Sequence, residues 1–323
     1  MKIIDAHAHI VDHAYLDELT RVMSLSTEQT PSGQTLLRQG RSTVAWSRPN
    51  FFEPEQRIAE MDRQGVDMRI LSLSSPSVYD WPASEQPRVA RDINDKLARL
   101  CQAHPSRFQG LATLPLTDVP ASLSELSRCV DKLGFKGVAI GSHVAGKPLN
   151  HPDLDPFWKA VNDRRLPVVE HPMAALGSEH MDEFELPLRV GFIYETTTAV
   201  ARMVYAGVFE RYPDFPFIVA HTGGSILGLL ERLDNGYRLF PACREFIDKL
   251  PSEYVKRLYF DTCSFFGPAI EMARSVVGVD RLLWGADDPF IGAGPQYVRD
   301  LGWSEADTAQ VLGQNAARIF GLR

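Results

Sequence analysis

Two histidines one residue apart, His7 and His9, close the run that opens the chain, Met1-Lys-Ile-Ile-Asp5-Ala-His7-Ala-His9-Ile10. Lys2 to Ile4 read as the start of a buried strand. In a strand, residues two apart project to the same face, so Asp5, His7 and His9 are expected to point one way. Neutral imidazole is a good ligand for zinc and similar divalent ions, and a strand holds two rings at fixed spacing. The pair makes half of a metal site. Alone, it fits two histidines of a surface strand equally well, so the other half must come from elsewhere.

Candidates stand where other β-type runs end: Glu170-His171-Pro172, Ala220-His221-Thr222-Gly223-Gly224, and Gly285-Ala286-Asp287-Asp288-Pro289. A single histidine after a strand is usually a core or loop residue. Ligand-type residues ending four strands at corresponding positions form a constellation instead. Its chemistry is Lewis-acid polarisation of a bound oxygen, and a carboxylate such as Asp287 can also carry a proton.

Such residues need a frame that brings strand ends together. Eight β-type runs can be counted: Lys2–His7, Val66–Leu73, Phe108–Leu114, Phe135–Ile140, Leu166–Glu170, Phe217–Ala220, Arg257–Asp261 and Arg281–Gly285. Most are separated by stretches of helical periodicity. Val89, Ile93, Leu97, Leu100 and Cys101 share one helical face, and Leu123, Leu126, Val130 and Leu133 share the next. The alternation predicts parallel βα units and, at eight strands, an α/β fold closed as a (β/α)₈ TIM barrel. A last helix is expected from near Ser304, where Ser-Glu-Ala-Asp resembles a capping box, through Ala317.

Two connections, about residues 10–53 and 172–194, are too long for simple βα loops. Loops beyond about 12 to 15 residues are usually functional lids or disordered segments, and in a barrel both follow strands that end at the active-site face. No repeat or linker divides the 323 residues, so a single domain is expected.

The net charge of −7 argues against a general nucleic-acid-binding role. Cys101, Cys129, Cys243 and Cys263 form no C-x-x-C pair and read as reduced thiols. Neither an apolar signal core nor a membrane-spanning apolar run is evident, so a cytoplasmic protein with no membrane or nucleic-acid partner is expected.

The strand-end residues, together with several further motifs, resemble the amidohydrolase superfamily, in its branch of 2-amino-3-carboxymuconate-6-semialdehyde decarboxylase and γ-resorcylate decarboxylase. Those motifs are Pro54-Glu-Gln-Arg57-Ile, Met61-Asp62, Gly65-Val66-Asp67, Arg107-Phe108, Leu114-Pro115, Leu133-Gly134-Phe135-Lys136-Gly137, Glu195-Thr196-Thr197, His221-Thr-Gly-Gly and Asn315-Ala-Ala-Arg318. The resemblance covers nearly the whole chain. It implies one divalent metal held by His7, His9, His171 and Asp287, with His221 and Asp287 as catalytic acid/base groups. Strand four ends Val138-Ala139-Ile140-Gly141, without the bridging lysine or glutamate of binuclear members, which also favours one metal. Zinc is the default for such a ligand set, and manganese tolerates the same ligands.

The implied reaction is non-oxidative decarboxylation of a hydroxylated aromatic or related unsaturated acid. The alternative is hydrolysis of a lactone, amide or imine by hydroxide on the same metal. Arg48 is a candidate anchor for a substrate anion, since guanidinium binds carboxylate bidentately and stays charged. The semialdehyde decarboxylases carry a second arginine where this chain has Ala45, and an arginine lent across the dimer at a position falling on Phe240. Both departures weaken the case for that dicarboxylate substrate. Phe51, Phe52, Trp81, Trp284 and Phe290 are candidates for an apolar wall. By resemblance a homodimer or homotetramer is expected, with the segment around Leu229 to Phe246 as interface.

Other polar residues read as structural. Glu170 is a candidate partner to an imidazole, His143 a loop histidine, and Asp288 a brace for the turn before Pro289. Glu195 caps a helix head, while His13, His104, His151 and His180 are surface or capping residues.

Overall fold

All eight expected runs become parallel strands, in a computed structural model that describes residues 2–51, 53–177 and 180–322. They are β1 (Ile4–Ile10), β2 (Met68–Leu73), β3 (Phe108–Gly110 continued by Ala112–Thr113), β4 (Val138–Gly141), β5 (Val168–His171), β6 (Phe217–Val219), β7 (Tyr259–Asp261) and β8 (Leu282–Leu283). Neighbours in sequence are neighbours in space from β1 round to β8. The Leu111 amide donates to Leu71 O at 2.9 Å and the Ala6 amide to Trp284 O at 2.9 Å, which joins the two sheet segments into one ring. The architecture is the expected TIM barrel.

Alternation along the strands sorts the core into two layers. Val169, Ile218 and Leu283 pack inside the ring with Ile4 and Ala6. Val168, Phe217, Val219 and Leu282 face outward to the helices with Val89, Ile93, Leu97 and Leu126. Apolar residues on both faces are what parallel strands require.

β1 breaks this alternation where the site begins. Its pairing register with β2 shifts between Asp5 and Ala8. Ile4 and Ala6 therefore point inward below the shift, and His7 and His9 point inward above it. Asp5 does not share the histidine face, as strict alternation predicts. Its Oδ1 instead accepts the His7 amide at 3.1 Å, a donor that the irregularity removes from regular pairing.

The final helix begins as expected, with Ser304 Oγ accepting the Asp307 amide at 3.1 Å. A π-helical turn, Gln310–Gln314, interrupts it before Asn315–Ile319. There the helix crosses the entry to β1 so closely that a Cβ on Gly313 would lie 1.9 Å from Lys2 O, which only glycine avoids.

The first insertion is an ordered element and not a disordered loop. Helix His13–Val22 is followed by a three-stranded antiparallel sheet of Ser26–Gln29, Thr35–Gln39 and Ser42–Ser47. The second insertion grips it. Glu185 accepts from the Thr43 amide at 3.0 Å, Thr43 Oγ1 at 2.9 Å and Arg38 Nη1 at 3.0 Å. Pairing within the sheet and this clamp satisfy backbone groups that an open loop would leave to water. The second insertion also ends earlier than residue 194, with the helix Phe192–Tyr205 already under way.

All four cysteines are free. Among the described residues, no helix is long and apolar enough to cross a membrane. Leu239, Phe240 and Phe246, in the segment expected as an interface, expose their apolar side chains.

Candidate metal centre

His7 and His9 meet at the C-terminal rim of the barrel with Nε2 atoms 3.0 Å apart. Asp287 Oδ1 stands 3.3 Å from His9 Nε2 and 3.7 Å from His7 Nε2. The His171 ring centroid lies 4.9 Å from that of His9 and 5.3 Å from that of His7. His221 completes the group, 5.2 Å from His7 and 5.3 Å from His171. All five expected rim residues come together.

The partners of the other ring nitrogens fix which atom of each histidine is bare. His7 Nδ1 faces the carboxylate Asp261 Oδ2 at 2.6 Å, and His171 Nδ1 faces the carbonyl Pro172 O at 3.0 Å. Both partners only accept, so both Nδ1 atoms carry the proton. Ser72 Oγ donates its one proton to Ala8 O at 3.4 Å and so accepts from His9 Nδ1 at 3.2 Å. Each Nε2 is left with an outward lone pair. Two such lone pairs 3.0 Å apart beside a carboxylate repel one another unless a proton or a metal cation lies between them. The donor set therefore fits one divalent ion.

The electrostatics agree. Burial holds His9, His171 and His221 below their ordinary range, in the neutral form that ligates. Burial also opposes charge on His7, but Asp261, Asp287 and Asp5 outweigh it and push its pKa up to about 9. Burial likewise raises Asp287, yet the imidazoles of His9, His7 and His221 around it hold its carboxyl well below the carboxylate range. The cluster demands positive charge, and a bound cation supplies it in place of a proton.

Asp261 lies outside the set expected from sequence. Besides His7 it accepts the amides of His221 at 3.0 Å, Thr222 at 2.8 Å and Cys263 at 2.9 Å. His221 and Thr222 both take left-handed backbone, with φ of 52° and 55°. Such residues cost on the order of 1 kcal/mol or more each, which the two charge-assisted bonds to Asp261 offset. The available signal was positional, a carboxylate ending a barrel strand. Glycine is required at position 285, two residues after β8, because a Cβ on Gly285 would lie 2.5 Å from Cys263 Sγ and 2.8 Å from His7 Cβ.

The surroundings sort the remaining candidates. Phe290 lies 5.6 Å from the His9 ring, Trp46 and Phe51 pack against Phe290 at 5.6 and 5.8 Å, and the Arg48 guanidinium sits 5.3 Å over Trp46. Phe192 stands 5.9 Å from His171 and 6.4 Å from His221. Trp46 and Phe192 were not expected here; Trp46 sits in the first insertion and Phe192 opens the helix that follows the second.

Trp284 is a correction. It follows inward-facing Leu283 and so points outward, fully buried in the strand–helix layer rather than lining the rim. Trp81 packs on Tyr15 in that same layer. Phe52 lies outside the described residues.

Glu170 is not bonded to an imidazole. It turns outward to accept from Thr196 Oγ1 at 3.0 Å, and burial pushes its pKa up to about 8. Glu195 ties strand ends together by accepting the Leu176 amide at 2.9 Å and Ser142 Oγ at 3.3 Å. His143 is held in its loop by Ala174 O at 3.0 Å and the Gly146 amide at 3.1 Å. Asp288 turns away from the metal centre to Arg57 and Arg69.

Comparison with known proteins agrees with this geometry. The chain matches the family described as amidohydrolase over residues 4–322. It is 31% identical over 280 residues to the 2-amino-3-carboxymuconate-6-semialdehyde decarboxylase of Dictyostelium discoideum, covering 84% of this chain and 78% of that protein. It is 30% identical over 290 residues to a γ-resorcylate decarboxylase of Rhodococcus jostii (strain RHA1), covering 82% of this chain and 87% of that protein. A solved 5-carboxyvanillate decarboxylase from Novosphingobium aromaticivorans DSM 12444 superposes with a TM-score of 0.82 at 25% identity, covering 99% of this chain and 96% of that one. That structure holds manganese and 3-methoxy-4-hydroxy-5-nitrobenzoic acid.

Proposed function

Since the chain belongs to the amidohydrolase family, we propose that it is a metal-dependent, non-oxidative decarboxylase of a hydroxylated aromatic acid, with His7, His9, His171 and Asp287 holding one divalent ion. The observation that carries this reading is the convergence of three bare imidazole nitrogens and one carboxylate beside a fourth imidazole. His221 is that fourth group, and among the described residues its buried Nδ1 has no hydrogen-bond partner. A divalent ion bound there would act as a Lewis acid toward the carboxylate and an ortho hydroxyl of the substrate.

The chain's own residues do the rest. Loss of CO₂ leaves an electron pair on the ring carbon, which must be protonated. The ionised Asp287 side chain, 15% exposed where His7 and His9 are almost sealed, faces the space a substrate would enter; it can take the proton of the ortho hydroxyl as the substrate binds and hand it to that carbon. Neutral His221 supplies or removes the balancing proton through Nδ1. Phe290 beside His9 and Phe192 beside His171 and His221 stand as apolar walls, suited to a planar ring and to keeping water from the carbanion. Exposed Arg48, steadied over Trp46, serves as the anchor for a substrate anion.

The test is turnover of a panel of ortho-hydroxybenzoates by protein stripped with chelator and reconstituted with zinc or manganese. CO₂ release that disappears on stripping and returns with metal is expected, and the better metal identifies the native ion. Hydrolysis of lactones or amides without CO₂ release overturns the reading. Arg48→Ala is expected to raise KM about tenfold, equivalent to ~1.4 kcal/mol, with kcat within about threefold. An unchanged KM removes Arg48 from the pocket.

A further inference from the structure

Behind the metal centre, on the outer side of β1, lies a buried chain of four charges that supplies no ligand atom. Asp5 Oδ1 accepts the amides of His7 at 3.1 Å and Ala286 at 2.9 Å. Its Oδ2 stands 3.3 Å from Arg69 Nε, and Arg69 Nη1 stands 2.7 Å from Asp288 Oδ2. The other oxygen of Asp288 accepts from Arg57 Nη2. All four side chains are buried.

Arg57 differs from Arg69 in what it connects. Arg69 belongs to β2 and bridges Asp5 and Asp288 from the barrel wall. Arg57 belongs to helix Pro54–Gln64, which begins just after the first insertion, and its one ion pair among the described residues is with Asp288. Three residues before that helix, Phe51 packs against Phe290, just beyond Asp288. The helix and its lead-in thus grip the 287–290 loop at two points, one ionic and one aromatic.

That loop has reason to need a grip. Asp287 takes left-handed backbone with φ of 51°, an unfavourable conformation for a residue with a Cβ. Its amide donates to His7 O at 2.9 Å, and Asp288 O accepts the His9 amide at 2.6 Å. The direction in which the Asp287 carboxylate points is thereby set by where Asp288 is anchored.

We propose that Arg57 is a positioning residue for the metal carboxylate: by holding Asp288 it keeps Asp287 aimed at the three imidazoles, and so tunes metal affinity without touching metal or substrate. This rests on the reading of Asp287 as a ligand, and not on the reaction catalysed. Outer partners of ligands commonly contribute 10- to 100-fold in metal affinity.

The test compares wild-type protein with Arg57→Met, Arg57→Lys, Asp288→Asn and the Arg57→Met/Asp288→Asn pair. It reads the Mn²⁺ dissociation constant and the visible spectrum of the Co²⁺-loaded protein, neither of which needs a substrate. Arg57→Met is expected to raise the dissociation constant 10- to 100-fold and to alter the Co²⁺ bands. Arg57→Lys should recover part of the loss, and the double variant should resemble Asp288→Asn alone, because both act through one contact. A wild-type dissociation constant and spectrum in folded Arg57→Met, with only thermal stability lowered, overturns the proposal. If Arg57→Met does not fold, an unchanged constant and spectrum in Asp288→Asn overturn it equally. Failure of the wild-type protein to bind metal would instead defeat the ligand assignment itself.

Discussion

Asp261→Asn is expected to lower kcat/KM by about 10³-fold or more, equivalent to ~4 kcal/mol of transition-state stabilisation, and to release the metal. The reason is the count of donors around it. Oδ2 accepts from His7 Nδ1 and the His221 amide, and Oδ1 accepts from the Thr222 and Cys263 amides. An asparagine must present its NH₂ group to one of these pairs whichever way it is turned. Facing His7, it drives the imidazole proton to Nε2, the atom that would hold the metal. Facing the two amides, it sets donor against donor and releases the left-handed turn that carries His221. Metal content and steady-state kinetics check this together. A variant with full metal content and kcat/KM within tenfold of wild type would show that Asp261 neither selects the His7 tautomer nor places His221.

Arg69→Met is expected to cost about 3–5 kcal/mol of stability, and with it on the order of 10 °C of melting temperature. Arg69 is fully buried, and its guanidinium lies between Asp5 Oδ2 at 3.3 Å and Asp288 Oδ2 at 2.7 Å. Methionine restores much of the volume and none of the charge, leaving Asp5 without its countercharge and Asp288 with Arg57 alone. Burial already pushes the Asp5 pKa up to about 7 despite Arg69, and without the arginine it would rise further. Arg69→Lys should recover little, because one ammonium cannot span both carboxylates as a guanidinium does. Thermal unfolding of metal-loaded protein measures the effect. A shift of less than about 2 °C would mean that the quartet is dispensable to the fold.

These two expectations depend on residues that sequence reasoning treats differently. Arg57 and Asp288 stand in or beside recognisable motifs, and a bracing role for Asp288 can be read there. Arg69 looks like one polar interruption in a buried strand, and Asp261 like the end of another. Nothing local distinguishes a carboxylate that caps a turn from one that orients a rim imidazole 254 positions earlier. The same limit applies to Trp284, which has the composition of a pocket wall. Only the parity of β8, with Leu283 inward, sends it into the outer layer.

The sequence by itself determined the barrel and the five rim residues. Eight apolar runs, helical stripes between them and ligand-type residues at four strand ends are local patterns, and the parallel ring follows from their alternation. It also marked both insertions as exceptional. Tertiary structure alone decided how the strands are phased. The irregularity after Asp5 turns that carboxylate away from the histidine face and hands it to Arg69, a consequence of register that alternation within one strand cannot express. It decided likewise that the first insertion folds as a sheet clamped by Glu185, and that Asp261, Ser72 and Pro172 O fix the three imidazole tautomers. In each case the deciding partner lies on a different element, so the information exists only once the ring has closed.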